Sequence, residues 1–356
     1  MKSLKVVTYC TWTSIGSVLQ ALGLKRALQN NGYESRIITN RKENEYVHAK
    51  VRSLKGVVVR LFEILNYKKR LVAYKKRLSF INQNLDIEYF DNYSDLREVT
   101  KKDSTEIYLA GSDQIWNPDA CKAEFFLDFA DGKKKVSYAA SMGNTKITDE
   151  KKELFANYIN SFDYISVRES ECKNVLKKLT DKEIFVNIDP TFLLSADEWR
   201  KYEKEYNVKD PYILLYMLYW DDACKEEIIK LKRETGLPVY AITNGLTRAY
   251  ADKYLYDVGV DEFLWLVDHA QYVITSSFHG VAFSTIFNKK FAPVVNPASP
   301  SRIDGLLHTL SVPKTCIADL HNTSDFDYEK TNSAIDIERE NSIQYLNKAL
   351  GIYDNK

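Results

Sequence analysis

Short apolar runs alternate with segments of helical period along most of the chain. Runs of strand character lie at Leu4–Tyr9, Ser35–Thr39, Glu106–Ala110, Lys135–Ala139, Tyr164–Val167 and Ile184–Ile188. Four more follow at Tyr212–Met217, Pro238–Thr243, Tyr272–Thr275 and Phe291–Val295. Between them, Gly16–Asn31 places Val18, Leu19, Leu22, Leu24 and Leu28 near helical spacing and stops at Gly32. Asp149–Ser161, Glu169–Leu179, Asp222–Thr235 and Val260–Ala270 carry the same pattern, and Ser333–Leu350 reads as a helical tail. Alternation of this kind predicts an α/β fold, with parallel sheets covered by helices on both faces.

The alternation restarts. Asp189-Pro190-Thr191 closes a first series, Ser195–Lys209 reads as a polar helical segment, and Asp210-Pro211 opens a second series. We therefore expect two doubly wound domains, residues 1–195 and 196–356, with ligands bound in the crevices at the carboxyl ends of the strands. Residues 46–90 interrupt the first series and read as a basic helical insertion. Lys68, Lys69, Arg70, Lys75, Lys76 and Arg77 follow the apolar run that starts at Val57. Residues 57–77 are thus either a solvated helix face or a peripheral contact with an anionic membrane surface.

Composition narrows the class. The 356 residues carry a net charge of +1, which argues against a dedicated nucleic-acid binder. Five cysteines, odd in number and without CxxC spacing, fit a reducing compartment better than a disulfide framework or a zinc knuckle. The start of the chain lacks the apolar core of a signal peptide, and Pro211–Trp220 is too short to span a bilayer. A cytoplasmic protein is expected, with the inner face of the membrane as a candidate site of action.

Six segments carry candidate chemistry. Gly16 follows the first strand, where an ordinary turn and an anion-binding helix start fit equally. Gly111-Ser112-Asp113-Gln114-Ile115-Trp116-Asn117 follows a strand end and combines a carboxylate, two amides and a large ring, the mixture from which sugar sites are built. Ser137–Gly143 is rich in small residues, which suits close backbone approach or helix packing. Arg168 ends a strand and suits either a phosphate or carboxylate ligand or an ion pair with Glu169. Ser276, Ser277, Phe278, His279 and Gly280 form a strand-to-helix corner suited to an anion, with His279 as acid, base or cationic ligand. Arg302, after the next strand, is a second anion ligand or part of a surface loop. No metal-ligand spacing and no GxSxG elbow are present, so neither a bound metal nor a serine hydrolase is expected.

In their order along the chain these segments resemble the polysaccharide pyruvyl transferase family. The resemblance runs from Gly16 with Val18-Leu19-Gln20, through Gly111–Pro118, Tyr138–Gly143, Ser166–Glu169 and Asp189–Thr191. It ends with Glu262-Phe263-Leu264, Ser277–Gly280 and Ser301-Arg302-Ile303. It implies a GT-B-like architecture, two Rossmann-type domains facing a cleft, with the acceptor on the first domain, the donor on the second and a C-terminal helix that can cross back onto the first. It also implies a reaction without cofactor. Phosphoenolpyruvate, as co-substrate, gives a pyruvate ketal on two hydroxyls of a glycan, which is a surface polysaccharide or its lipid-linked precursor. By this resemblance His279 is catalytic and, with Arg168, Ser276, Ser277, Phe278, Gly280 and Arg302, binds the donor. Gly16, Ser112, Gln114, Trp116 and Asn117 bind the acceptor, with Asp113 beside them as a candidate base. Some members carry Arg where this chain has Ser277, which removes one positive charge, and Arg302 is the candidate replacement. The rival readings are a metal-independent GT-B glycosyltransferase using a nucleotide sugar and a glycan- or phosphosugar-binding protein without catalysis.

Overall fold

Each apolar run is bounded by turn residues and placed beside another run, so the strands pair in parallel and leave their helices outside. The structure, a computed structural model, describes residues 2–45, 66–243, 250–296, 301–322 and 327–351. The elements run β1 (Lys2–Val7), α1 (Ile15–Asn30), β2 (Tyr33–Asn40), α2 (Tyr67–Asn84), β3 (Ile87–Phe90), α3 (Tyr93–Lys102), β4 (Ile107–Ala110) and β5 (Lys134–Ser137). Next come α4 (Asp149–Asn160), β6 (Ile165–Val167), α5 (Ser170–Leu176), β7 (Ile184–Val186) and α6 (Ala196–Arg200). The last set is β8 (Ile213–Tyr216), α7 (Ala223–Thr235), β9 (Val239–Ile242), β10 (Lys253–Leu255), α8 (Val260–Asp268), β11 (Tyr272–Thr275), α9 (Phe278–Ile286), β12 (Lys290–Pro293), α10 (Ser301–Thr309) and α11 (Tyr328–Leu350).

Two five-stranded parallel sheets result, ordered β3-β2-β1-β4-β5 and β10-β9-β8-β11-β12. In the first, Val7 pairs with Ala110 and Ala110 with Ser137, so Thr8, Gly111 and Tyr138 emerge side by side. In the second, Tyr216 pairs with Thr275, so Met217 and Ser276 emerge together. The order reverses between β1 and β4 and between β8 and β11, which is where α/β sheets open their ligand crevices. The two strands β6 and β7 form a small sheet of their own, joined to the first by bridges Val136–Tyr164 and Ala140–Val167.

The chain divides into two units, Met1–Asn44 with Asn82–Leu194 and Ile335–Lys356, and Glu45–Ile81 with Ser195–Ala334. Two expectations change here. Segment 46–90 is not an insertion of the first domain: its described part up to Ile81 belongs to the second unit, and Ile87–Phe90 is a strand of the first sheet. Its residues 46–65, including the whole apolar run from Val57 to Leu65, lie outside the described residues. The end of the basic run is used inside the protein. Arg77 is buried and its Nε donates to the Val258 carbonyl at 2.8 Å. Lys76 pairs with Glu262 at 2.7 Å, and Lys69 lies 5.7 Å from the ring centre of Tyr256. Burial pulls the Arg77 pKa down to about 10, with Tyr216 and Glu262 opposing that fall. The second change is that Ser195–Lys209 is helical only over α6, where Ser195 and Glu198 close a capping box.

The C-terminal helix is fastened to the first unit by polar contacts. Tyr345 donates to the Ser137 carbonyl at 2.7 Å, and Ser342 Oγ accepts from the Ile188 N–H at 3.1 Å. Tyr33 donates to the Leu350 carbonyl at 2.8 Å. The core of this unit is aromatic: Trp116 stacks on Phe126 at 5.6 Å and meets the edge of Phe162 at 5.4 Å. Among the described residues no helix is long and apolar enough to cross a membrane.

Candidate functional site

At the carboxyl end of the first sheet, the turn after β4 is tied to its neighbours on both sides. Thr8 Oγ1 donates to the Ser112 carbonyl at 2.8 Å and accepts from Gln20 Nε2 at 3.0 Å. Gly111 is required, because a Cβ there would stand 2.9 Å from Thr8. Asp113 takes a left-handed backbone, φ 73°, a conformation that non-glycine residues adopt at a cost of about 1 kcal/mol. Its carbonyl accepts from the Ser141 and Ile115 N–H groups at 2.9 and 2.7 Å, and its Oδ1 accepts from the Gln114 N–H at 2.8 Å. Ala139, after the adjacent strand β5, is also left-handed at φ 48°. Strained positions held by their surroundings cluster at functional sites, and both lie at strand ends beside one another's loops.

The expected acceptor residues divide. Asp113, Gln114 and Asn117 remain half-exposed. Trp116 does not: it is fully buried, its Nε1 donates to the Phe125 carbonyl at 3.1 Å, and its ring belongs to the core. It therefore cannot pack on a sugar, which corrects the expectation. Gly16 is a buried residue of the first turn of α1, whose N-cap is Ser14, and not a loop residue. Ser112 is fully buried, with its Oγ 3.3 Å from Asp189 Oδ2.

Arg168 is the second correction. Its side chain is 3% exposed and lies between two buried carboxylates, Glu169 at 2.9 Å and Asp189 at 2.7 Å. Glu169 also accepts from Ser141 Oγ at 2.9 Å, and Asp189 from the Thr191 N–H and Oγ1 at 3.0 and 2.9 Å. Burial works against the charge on Arg168, but Glu169 and Asp189 outweigh it and hold its pKa above the ordinary guanidinium value. The guanidinium is thus committed to an internal network that clamps the turns at Ser112 and Ser141. It lies in the first unit, and the other donor candidates lie in the second. The ion pair with Glu169 is the alternative the sequence offered; Asp189, a motif residue in the sequence, is the partner it did not point to.

In the second unit the corner between β11 and α9 is built by hydroxyls. Thr275 Oγ1 donates to the Tyr216 carbonyl at 2.7 Å. Ser276 Oγ accepts from the Leu218 and Tyr219 N–H groups at 2.8 Å each and donates to the Tyr219 carbonyl at 2.9 Å. That hydroxyl is saturated, so Ser276 anchors the loop after β8 and does not bind a ligand through its side chain. Ser277 caps α9 by accepting from the Gly280 N–H at 3.4 Å. Gly280 is required, since a Cβ would lie 2.1 Å from Thr275 Oγ1. His279, 7% exposed, sits in the first turn of α9 with its ring 5.3 Å from that of Phe278, and the Arg302 guanidinium lies 5.5 Å from the Phe278 centroid. A nine-residue helix start, an imidazole and a guanidinium thus converge within one unit. Residues 297–300, which precede Arg302, lie outside the described residues.

A model of the family described as polysaccharide pyruvyl transferase matches residues 15–297. The chain belongs to the polysaccharide pyruvyl transferase family. A comparison with curated proteins gives no match. Solved structures similar to this family member include UDP-GlcNAc 2-epimerase from Neisseria meningitidis bound to UDP-GlcNAc, 11% identical, TM-score 0.58, covering 99% of this chain and 100% of that one. A S. aureus MnaA–UDP structure is 11% identical with TM-score 0.57, covering 100% and 99%. The Methanocaldococcus jannaschii UDP-GlcNAc 2-epimerase complex with UDP-GlcNAc and UDP is 13% identical with TM-score 0.51, covering 99% and 100%. At these identities the likeness is one of fold: this pyruvyl transferase family member is a GT-B-like α/β protein with two Rossmann-like units.

One titratable cluster in the second unit was not expected. Glu203, Asp268 and His269 bring one ligand-type atom each within 4.8 Å of one another. Arg200 already pairs with Asp268 at 2.8 Å, so the cluster is an internal charge group rather than an open cation site. Burial, with Asp268 adding to it, pushes the Glu203 carboxyl up to about 7. A raised carboxyl pKa means that the folded state holds the proton longer than the unfolded state. Stability therefore falls as pH rises from about 4.5 to about 7. Glu203→Gln is expected to melt with the wild type at the acid end of that window and above it at the alkaline end, by a modest margin because the group is half-exposed. Melting curves across the window check this, and a difference that does not vary with pH would contradict it.

Proposed function

We propose that this protein transfers the enolpyruvyl unit of phosphoenolpyruvate to two hydroxyls of one sugar, leaving a pyruvate ketal and inorganic phosphate. The observation that carries the reading is the convergence of His279, Arg302 and the start of α9 in a chain of this family. Phosphoenolpyruvate presents a phosphate and a carboxylate, which call for a guanidinium and helix-start N–H groups. A proton adds to C3 of the enol, and the double-bond electrons form the new C–H bond, leaving an oxocarbenium at C2. A sugar hydroxyl attacks C2 and gives its proton to a base. A second hydroxyl of the same sugar then forms its own bond to C2 as the C2–O bond to phosphate breaks; phosphate leaves with the electron pair and takes up that hydroxyl's proton. His279 is our choice for the acid at C3, and Asp113 for the base on the acceptor side. The acceptor is a glycan destined for a surface polysaccharide, free or lipid-linked, handled in the cytoplasm. Contact with the membrane face through 57–77 is proposed for the exposed Lys68, Lys69 and Lys75, since Lys76 and Arg77 are spent on Glu262 and the Val258 carbonyl.

The solved neighbours holding UDP or UDP-GlcNAc favour one other reading, a nucleotide-sugar glycosyltransferase on the same fold. Thermal shift with phosphoenolpyruvate, UDP and phosphate side by side separates the two. A ligand at a hundred times its Kd stabilises by about 2.7 kcal/mol. Phosphoenolpyruvate is expected to raise the Tm of the wild type and to lose that effect in Arg302→Ala. A shift with UDP and none with phosphoenolpyruvate would replace pyruvyl transfer by glycosyl transfer.

A further inference from the structure

We propose that the loop after β8, Met217 to Trp220, holds the sugar ring that receives the pyruvyl group, with the Trp220 indole as the surface on which the C–H face of the ring packs. The identity of that ring as the acceptor rests on the pyruvyl-transfer reading; the sugar site itself does not. Four large apolar side chains follow one another here and none is buried: Leu218 is 70% exposed, and Met217, Tyr219 and Trp220 are half-exposed. A single exposed apolar residue is ordinary, whereas a contiguous run of them at the end of a central strand marks a contact surface. The sheet order reverses between β8 and β11, so this loop and the β11–α9 corner flank the ligand crevice of the second unit.

Polar groups are spent on keeping this loop in place. Ser276 Oγ accepts from the Leu218 and Tyr219 N–H groups at 2.8 Å each and donates to the Tyr219 carbonyl at 2.9 Å, which ties the loop to the corner that carries His279. Asp222 stands at the N-cap of α7, where an aspartate ordinarily accepts from the helix's own N–H groups, but its side chain caps nothing. Its Oδ1 accepts instead from Trp220 Nε1 at 2.9 Å and fixes the orientation of the indole. The start of α7 is held by Asp221, whose Oδ1 accepts from the Ala223 N–H at 3.0 Å. Among the described residues no ring or cation stacks on the Trp220 indole.

Pyruvyl transfer sets where the acceptor has to be. Two hydroxyls of one ring form bonds to C2 of a donor whose anionic groups face α9 and Arg302, so the ring lies against the wall beside that corner. That wall is this loop, an aromatic face for the ring C–H groups flanked by the exposed carboxylates of Asp221 and Asp222, which accept from hydroxyls. The same two carboxylates weigh against an anionic membrane as the occupant. The loop thereby supplies the aromatic surface that Trp116, buried in the core, does not.

Saturation-transfer NMR on the full chain with methyl glycosides of glucose, galactose, mannose and N-acetylglucosamine, and with uridine, tests the site without requiring turnover. At least one glycoside is expected to show transfer, with the strongest effect on its ring C–H protons. Trp220→Ala and Asp222→Ala are each expected to weaken that Kd by about 10-fold, the first by removing the aromatic face and the second by releasing it, and Trp220→Phe should recover part of the loss. Asp222→Ala takes away no helix cap and should keep the wild-type Tm. Absence of transfer with every glycoside, or a Kd that both alanine variants leave unchanged, overturns the proposal. Transfer to uridine alone, lost in Trp220→Ala, also overturns it and puts a nucleobase on the indole. Glycoside binding that depends on Trp220 in a protein whose Tm does not respond to phosphoenolpyruvate would leave the sugar site standing and sink pyruvyl transfer.

Discussion

Replacing His279 with alanine is expected to lower kcat by about 10²- to 10⁴-fold, the usual contribution of a positioned acid or base. The group sits in the first turn of α9, 7% exposed, against the Phe278 ring that Arg302 covers. If its task is to deliver a proton to C3 of the donor, the loss falls on kcat more than on the KM for phosphoenolpyruvate, since Arg302 and the helix start still bind the anion. His279→Gln keeps the volume and a hydrogen-bonding head but cannot shuttle a proton at neutral pH, so it should be as inactive as alanine while melting closer to the wild type. Phosphate release in the presence of glycan acceptor, read beside a melting curve, makes the measurement. A glutamine variant that turns over within a few-fold of the wild type would remove His279 from the chemistry.

Arg168→Ala is expected to cost about 3–5 kcal/mol of stability, because it leaves two buried carboxylates facing each other without their cation. Glu169 and Asp189 have side chains 7% and 0% exposed, so water cannot replace the guanidinium. In a chain of this size the loss corresponds to a fall in Tm on the order of 10 °C. The same change should slacken the turns at Ser112 and Ser141, whose hydroxyls end on Asp189 and Glu169. Arg168→Lys keeps the charge but not the two-sided fork, and should recover part of the loss. The informative contrary result is an alanine variant that melts with the wild type yet no longer responds to phosphoenolpyruvate. Arg168 would then be a donor ligand after all, held by the carboxylates only until the anion arrives.

Much of the fold is written locally. All ten strand-like runs became strands, because an apolar run of four to six residues between turn residues has little alternative to a buried parallel strand. The misses are short or lie inside a misread segment. β10 is a three-residue edge strand, and β3 hides behind a basic helical stretch although Ile87, Tyr89 and Phe90 are good strand formers. The motifs at Gly111, Ser141, Arg168 and Ser277 all lie at strand ends, as their spacing implied, since a turn that follows a buried strand emerges at the sheet edge.

What each of those residues does there was decided elsewhere in the chain. Trp116 is interior because Phe126 and Phe162, the latter 46 residues away, close on it. Ser276 is an anchor because the loop after β8 returns to it. Arg168 is a strut because Asp189 and Glu169 meet it, and α2 belongs to the second unit because Val258 and Glu262 receive Arg77 and Lys76. The sequence by itself determined the α/β class, the strand ends and the family, since these rest on periodicity and on motifs read in order. Only the tertiary structure decided which polar groups are spent on the protein, as those of Arg168, Ser276 and Trp116 are. Hydrogen bonds and ion pairs are saturable, and the partner that saturates a group is set by three-dimensional proximity and not by its neighbours in the chain.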